Sequence, residues 1–159
     1  MSKIKLFSLG GLNEVGKNIY CIDVDKDLFI FDCGLKYANE NLYGIDYIIP
    51  DFEYLVKNKK RIKGVFLTHG HYENIGAVSD LLKEIPNLKV YATKFTKYIL
   101  VNDGVNEKNI IEIKPHKKLN FGSVSVFPIN VSHSVPDSVM YVINTKDGAI
   151  CYTGDFIID

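Results

Sequence analysis

The sequence lacks three features that would each assign a protein to a broad class: a net charge, a long apolar run and a paired cysteine pattern. Lys+Arg and Asp+Glu both number 19, so the formal net charge is zero and the chain as a whole does not attract nucleic acid. No run approaches the roughly 18 apolar residues of a membrane-spanning helix, and the chain opens with strand-like alternation rather than a leader. We therefore expect a cytoplasmic protein without a membrane partner.

The cysteines also exclude one class of site. Cys21, Cys33 and Cys151 lie singly among apolar neighbours, and no Cys-x-x-Cys spacing occurs. This pattern predicts three buried, reduced thiols rather than a disulfide framework or a zinc knuckle. With 159 residues, of which 47% are hydrophobic and 24% charged, the composition is that of one globular domain with a substantial core.

The periodicity of the sequence predicts an α/β protein with a β-rich second part. Residues 35–50 show no clear period and are predicted to be a loop, with Asp51 as the N-cap of the helix that follows. Tyr98 and Ile99 are predicted to be core side chains of the third helix. The predicted strands are 4–9, 18–24, 28–31, 64–68, 89–92, 110–113, 119–121, 123–129, 140–145 and 149–152, and the predicted helices are 52–59, 74–84 and 93–101.

Two segments invite a functional interpretation that competes with a structural one. Residues 11–18 nearly match the phosphate-binding pattern G-x-x-x-x-G-K-[ST], but Asn18 replaces the hydroxyl residue and residues 19–24 are predicted to form a strand where a helix is needed. We therefore interpret the glycines as turn residues. The basic cluster at 57–61 is either the solvated end of a helix or an RNA-facing patch.

Metal-capable side chains follow the ends of four predicted strands. His69 and His71, separated by one glycine, come directly after the strand at 64–68 and are either surface loop residues or imidazoles that are free to coordinate. Each of the others could be a turn former or an ordinary loop residue, but strand ends that converge are how a sheet builds a site. His116 lies in a charged turn and is predicted to be a plain surface residue. The additional strand-end candidates are Asp32, His133 and Asp155.

The arrangement resembles the metallo-β-lactamase superfamily and, within it, the ribonuclease J branch of RNA-processing nucleases. The resemblance runs in order from about residue 6 to the end of the sequence. The motifs that carry it are Leu9-Gly10-Gly11 with Glu14-Val15-Gly16-Lys17-Asn18, then residues 44–51, Thr68-His69-Gly70-His71, residues 133–138 and Thr153-Gly154-Asp155-Phe156.

The resemblance implies a two-metal hydrolase whose metals are zinc, or manganese or magnesium. Carried over residue by residue, the first metal position is formed by His69, His71 and His133. The second would use positions 73 and 74, with Asp155 as the bridging ligand and a further histidine beyond residue 159. Asp32 matches an aspartate that supports the metal loop rather than touching metal.

The chain departs from the family motif at two positions. Where the His-x-His-x-Asp-His pattern has aspartate and histidine, this chain has Glu73 and Asn74. Glutamate reaches one methylene further, and an amide oxygen is a weak zinc ligand compared with an imidazole nitrogen. The resemblance is thus to weakly active second paralogues of the ribonuclease J family, and we expect a degenerate second metal site with no intact catalytic residues.

The resemblance also bounds the architecture. The family fold is an αββα sandwich of two halves, and residues 1–159 correspond to a single partial domain, the first half, with a mixed β-sheet flanked by helices. The inserted β-CASP domain and the C-terminal regions have no counterpart here, and the exposed inner edge of a half sandwich predicts association or instability.

Three functions are consistent with these features. The first is the N-terminal region of an RNA-processing and mRNA-decay nuclease, with endonuclease and 5′-to-3′ exonuclease activity by family and weak activity in this copy. The second is a non-catalytic partner subunit that binds RNA or stabilises an active ribonuclease J paralogue as a homo- or hetero-oligomer. The third is a different metallo-hydrolase of the same fold, such as a glyoxalase-like thioesterase, which the segment 133–138 fits less well.

Overall fold

The computed structural model describes residues 1–39 and 41–158 as two facing β-sheets with helices on the outer side of the first. One apolar cluster lies between the helices and the first sheet, and a second lies between the two sheets. None of the described helices is long and apolar enough to cross a membrane. This α/β arrangement confirms the predicted fold class.

The first sheet has six strands in the order β1-β2-β3-β6-β7-β8. Strands β1, β2 and β3 pair antiparallel with one another, whereas β3, β6, β7 and β8 pair parallel with one another. The carboxyl ends of the four parallel strands therefore meet at one edge, where Asp32 and His69 follow β3 and β6. The strands are β1 Ile4–Gly10, β2 Ile19–Val24, β3 Asp27–Phe31, β6 Ile62–Phe66, β7 Val90–Ala92 and β8 Ile110–Glu112.

The second sheet is antiparallel, in the order β12-β11-β10-β9. Its strands are β9 Leu119–Phe121, β10 Val124–Asn130, β11 Val139–Thr145 and β12 Gly148–Tyr152. Alternation places Val126, Tyr141 and Ile143 on the inner face, where they are fully buried against the aromatic side chains of the first sheet. The Tyr141 hydroxyl donates to the carbonyl of Leu67 at 2.6 Å and so ties the second sheet to the segment that precedes the histidines.

Within the described residues, four helices accompany the first sheet: α1 Glu53–Lys57, α2 Tyr72–Ile75, α3 Val78–Glu84 and α4 Lys94–Asn102. Single turns of 3₁₀ helix occupy Lys59–Arg61 and Glu107–Asn109. The N-cap residue of α1 is Phe52 rather than the predicted Asp51, although the Asp51 carboxylate accepts the amide of Glu53 at 2.7 Å. Residues 35–50 contain a two-stranded ribbon, β4 Lys36–Tyr37 and β5 Tyr47–Ile48, where the sequence predicts only a loop.

The prediction of a single helix at 74–84 is wrong in one respect, because the structure has two helices there, α2 and α3. The carbonyl of Glu73, which would accept the amide of Ala77 in a continuous helix, accepts the amide of Asn18 at 3.0 Å instead. The amide of Ala77 donates to the carbonyl of Cys33 at 2.9 Å. Tertiary hydrogen bonds to two other segments thus end α2 and hold it against the edge where the metal-capable residues lie.

Two burial predictions are also wrong. Cys151 is exposed rather than buried, because its neighbours Ile150 and Tyr152 take the inward positions of β12 and leave it on the outer face of the second sheet. Tyr98 is 64% exposed, because the buried side of α4 is formed by Thr96 and Leu100. The half-buried apolar residues Phe127 and Val142 lie on the same outer face as Cys151.

Candidate metal centre

The histidine loop is positioned by hydrogen bonds and by one glycine. The Thr68 carbonyl accepts the amide of Val139 at 2.9 Å, so the loop is fixed between the two sheets. A Cβ atom on Gly70 would lie 2.5 Å from Cδ1 of Ile99, so a larger residue would require the end of the Ile99 side chain to move. His69 is fully buried, whereas His71 is half-buried.

The structure brings together four side chains that the sequence proposes as metal ligands. Nε2 of His69 lies 3.0 Å from Nδ1 of His71, and Nε2 of His133 lies 3.3 Å from that same Nδ1. Oδ2 of Asp155 lies 3.6 Å from Nε2 of His69, and one donor atom from each of the four residues falls within 4.8 Å of the others. With zinc–nitrogen distances of about 2.0–2.1 Å, two tetrahedral ligands are separated by roughly 3.3 Å, so this donor set fits a zinc-sized ion.

The protonation of His69 suits a metal ligand. Burial, followed by the proximity of His133 and then His71, lowers the pKa of the His69 imidazole to about 3. The ring is therefore neutral near pH 7 and keeps a lone pair on one nitrogen. The buried Nδ1 of His133 has no hydrogen-bond partner among the described residues.

Asp32 holds the histidine loop in place through hydrogen bonds to its carboxylate. Its carboxylate accepts the Thr68 amide at 2.8 Å, the Thr68 hydroxyl at 2.9 and 3.0 Å, the Asn74 amide nitrogen at 2.9 Å and the Tyr152 hydroxyl at 2.9 Å. Burial raises the pKa of Asp32 to about 6, although these hydrogen bonds act in the opposite direction. Its backbone has a φ of 60°, a left-handed conformation that aspartate tolerates better than most residues.

The same network orients His69. The Thr68 hydroxyl has one proton, which it donates to Asp32, so it accepts from Nδ1 of His69 at 2.9 Å. This bond assigns the proton of His69 to Nδ1 and leaves the lone pair of Nε2 facing His71 and Asp155. Such outer hydrogen bonds fix the tautomer of a ligating histidine and raise its affinity for metal.

A cleft of about 410 Å³ opens beside the histidines. Glu73 is half-buried, and Asn74 is 1% exposed, with no hydrogen-bond partner for its Oδ1 in the part of the chain that the structure describes. The carboxylate of Glu73 does not join the group of four close donors among the described residues. The cleft is lined by Glu14, Val15, Gly16, Asn18, His71, Glu73, Asn74 and Asp155.

The rim of the cleft carries a three-residue ion cluster that the sequence pattern did not reveal. Oε1 of Glu14 lies 3.1 Å from Nζ of Lys17, and Oε2 lies 3.0 Å from Nζ of Lys36. Lys36 and then Lys17 hold the pKa of the Glu14 carboxyl below its usual value. Sequence reasoning also missed Tyr152 as a donor to Asp32, because an aromatic residue in a strand gives no signal of a polar role.

Other residues singled out in the sequence lie outside this centre. Asn18 precedes strand β2 rather than a helix, as predicted for a segment that is not a phosphate-binding loop. His116 is exposed, and its ring lies 6.2 Å from that of Phe127 between centroids. In the basic cluster, Arg61 is paired with Asp23 and Lys57 with Glu53.

A sequence match to the family described as "Metallo-beta-lactamase superfamily" spans residues 12–159. The chain belongs to the metallo-β-lactamase superfamily. Membership of this family, together with the His/Asp cluster, indicates a metal-binding site. The cluster lies at the carboxyl ends of strands from both facing sheets.

Among curated relatives, the chain is 40% identical to "Ribonuclease J 2" of Staphylococcus epidermidis and 39% identical to the protein of the same name from Staphylococcus aureus. Each match covers 98% of this chain and 29% of the relative. The chain therefore spans less than a third of the length of the curated relatives that it matches.

Solved structures share the fold at low sequence identity. A protein of unknown function from Enterococcus faecalis V583 superposes with a TM-score of 0.77 at 21% identity, covering 98% of this chain and 44% of its own. The metallo-beta-lactamase fold protein YhfI from Bacillus subtilis gives a TM-score of 0.68 at 15% identity, covering 98% of this chain and 64% of its own.

Proposed function

We propose that this chain is the metallo-β-lactamase region of a ribonuclease J-type nuclease that hydrolyses RNA phosphodiester bonds. The observation that carries the proposal is the convergence of His69, His71, His133 and Asp155 in a chain about 40% identical to ribonucleases J 2. RNA is the proposed substrate, and the cytoplasm is the proposed location. The relatives are more than three times longer, so residues 1–159 are proposed to form one part of such an enzyme.

The proposed roles of the residues follow from their contacts. His69, His71, His133 and Asp155 would hold a metal, with zinc as the ion that suits three imidazoles and one carboxylate. A bound metal ion supplies a water of lowered pKa and stabilises charge on phosphate oxygens. Thr68 and Asp32 hold the tautomer of His69, and the partly exposed Lys17 and Lys36 provide positive charge at the rim of the cleft.

We further propose that Glu73 and Asn74 make this copy a weak nuclease. Two-metal sites stabilise both the attacking and the leaving oxygen, and a centre with one well-bound ion does this poorly. Asn74 offers an oxygen where the family motif has an imidazole nitrogen, and Glu73 carries its charge one methylene further than aspartate. Errors of about 1 Å in such positioning can cost about a hundredfold in rate.

The test is to restore the family residues with Glu73→Asp and Asn74→His in the intact protein and to measure cleavage of a 5′-monophosphorylated RNA. A gain of at least about tenfold in kcat/KM is expected, since positioning effects of this kind reach a hundredfold. A matched control changes the same residue types on the exposed surface, Glu84→Asp with Asn87→His, and should leave the rate unchanged. An equal rate in all three proteins would overturn the assignment of these positions as the defect.

A second candidate function is a non-catalytic partner that stabilises an active paralogue or binds RNA. The specific observation in its favour is that the Nδ2 group of Asn74 donates to Asp32, so a residue at a metal position serves the internal network instead. This proposal predicts normal assembly with the paralogue after His69→Ala and His71→Ala. Failure of that double variant to co-purify with the paralogue would reject a purely structural role.

A further inference from the structure

Among the described residues, the Asn74 side-chain amide forms a hydrogen bond through its nitrogen but not through its oxygen. Nδ2 donates to Oδ2 of Asp32 at 2.9 Å, whereas Oδ1 is buried and has no partner among the described residues. The opposite orientation of the amide would place its oxygen against the Asp32 carboxylate, so the observed orientation is the favourable one. An unpaired buried carbonyl is unfavourable, because it has lost its hydrogen bonds to water, and Asn74 is 1% exposed and lines the cleft.

Most of the polar side chains that line the cleft together with Asn74 carry oxygen donor atoms. Glu73, Asn18 and Asp155 line the same cleft, and His71 is the one imidazole there. Glu14 is already occupied, because each of its two carboxylate oxygens pairs with a lysine. The remaining carboxylates are Glu73 and Asp155, and Asp155 would bridge this position and the zinc position.

Donor chemistry separates this cleft from the histidine cluster next to it. Zinc prefers nitrogen and sulfur ligands in a tetrahedral arrangement, as three converging imidazoles provide. Mg²⁺ and Mn²⁺ prefer oxygen ligands, and Mg²⁺ sites commonly use one or two carboxylates while keeping several waters. A cleft open to solvent, with two carboxylates and one buried amide oxygen, corresponds to the second kind of site.

We propose that this cleft binds a hard divalent cation, Mg²⁺ or Mn²⁺, through Oδ1 of Asn74 and the carboxylates of Glu73 and Asp155. The substitution of the family's Asp-His pair thus changes the class of cation at the second position instead of only weakening it. The inference rests on the proposed function in one respect, that the neighbouring histidines hold zinc. A cation at this position would supply the partner that the buried Oδ1 of Asn74 lacks among the described residues.

The test uses Mn²⁺, whose electron paramagnetic resonance signal weakens on binding. The intact protein is stripped of metal, loaded with zinc and titrated with Mn²⁺, with Mg²⁺ added as competitor. Wild type should bind one Mn²⁺ that Glu73→Gln loses or binds at least about tenfold more weakly, because removing even an outer-sphere partner costs 10–100-fold in affinity. The control Glu84→Gln, on the exposed surface, should behave as wild type.

A second measurement does not depend on the folding of a variant. Mn²⁺ and Mg²⁺ should each raise the Tm of the zinc-loaded wild-type protein, since a ligand that binds only the folded state stabilises it. Asn74→His should exchange the Mn²⁺ for a second zinc. Absence of both saturable Mn²⁺ binding and a Tm shift, or equal binding by Glu73→Gln and Glu84→Gln, would overturn the proposal.

These binding results are independent of the RNA cleavage assay. If Mn²⁺ binds as described but the restored Glu73→Asp, Asn74→His protein gains no activity, the proposal that these two residues weaken the nuclease falls and the cation site stands. If the restored protein gains activity but wild type takes a second zinc in place of Mn²⁺, the cation proposal falls alone.

Discussion

Asp32 accepts hydrogen bonds from three residues with its two carboxylate oxygens, and none of the three is next to it in sequence. Thr68 comes from the histidine loop, Asn74 from α2 and Tyr152 from the second sheet. A single buried carboxylate therefore joins the elements that converge on the candidate metal centre. The sequence identifies Asp32 as a supporting residue through its family resemblance, whereas its partners depend on tertiary structure.

Asp32→Asn should destabilise the protein and weaken zinc binding. An amide has one accepting oxygen, so the donors facing its NH₂ group lose their partner, at about 1–3 kcal/mol for each buried donor. Zinc affinity should fall by about 10–100-fold because the orientation of His69 is no longer fixed. Denaturant unfolding and zinc titration measure the two effects.

The matched control for this change is Asp103→Asn. Asp103 is exposed and accepts one hydroxyl, that of Tyr72 at 3.3 Å. It should change stability and zinc affinity little. If Asp32→Asn unfolds at the same denaturant concentration as Asp103→Asn and binds zinc equally well, the proposed role of Asp32 is wrong.

At the scale of elements, the turn after β3 fits against α2 with no free space. A Cβ atom on Gly34 would lie 1.5 Å from the carbonyl oxygen of Glu73, and Gly34 itself donates to the carbonyl of Asn18 at 2.9 Å. The backbone of α2, which carries Glu73 and Asn74, is thus fixed by close approach of another segment. This contact also explains why the helix predicted at 74–84 is interrupted.

Gly34→Ala should cost more stability than another glycine replacement made where there is room. Overpacking costs about 1–3 kcal/mol, and the clash here is with backbone that cannot move without shifting the metal loop. Gly122→Ala is the comparison, because its Cβ would meet nothing within 4 Å and only its φ of 67° is unfavourable. Thermal unfolding of the two variants gives the difference, and an equal or smaller loss in Gly34→Ala would contradict the close-approach interpretation.

The elements that the sequence predicts well are those defined by local pattern. Alternation and apolar runs locate the strands, and the residues that follow those strands include all four members of the His/Asp cluster. Burial of Tyr98 and Cys151 was predicted wrongly, because the local pattern does not indicate which face of an outer helix or edge strand is covered. The break in the helix at 74–84 depends on hydrogen bonds to Asn18 and Cys33, which no local pattern contains.

At the scale of the whole molecule, the outer face of the second sheet makes Cys151 the accessible thiol of this chain. Burial raises the pKa of the Cys21 thiol to about 12 and also raises that of Cys33, with desolvation as the main cause in both. Since the thiolate is the reactive form, a thiol reagent should modify Cys151 well before the other two. Peptide mapping by mass spectrometry after brief labelling checks this order, and earlier modification of Cys21 or Cys33 would contradict the described layering.

We propose that the chain has the fold of its family without a complete two-zinc site, and its zinc content tests this proposal most directly. Intact wild-type protein and the Glu73→Asp, Asn74→His variant are saturated with zinc, freed of excess and measured by elemental analysis. We predict one zinc per chain in wild type, held by His69, His71, His133 and Asp155, and two in the variant. Two zinc ions in wild type, or no increase in a folded variant, would contradict it.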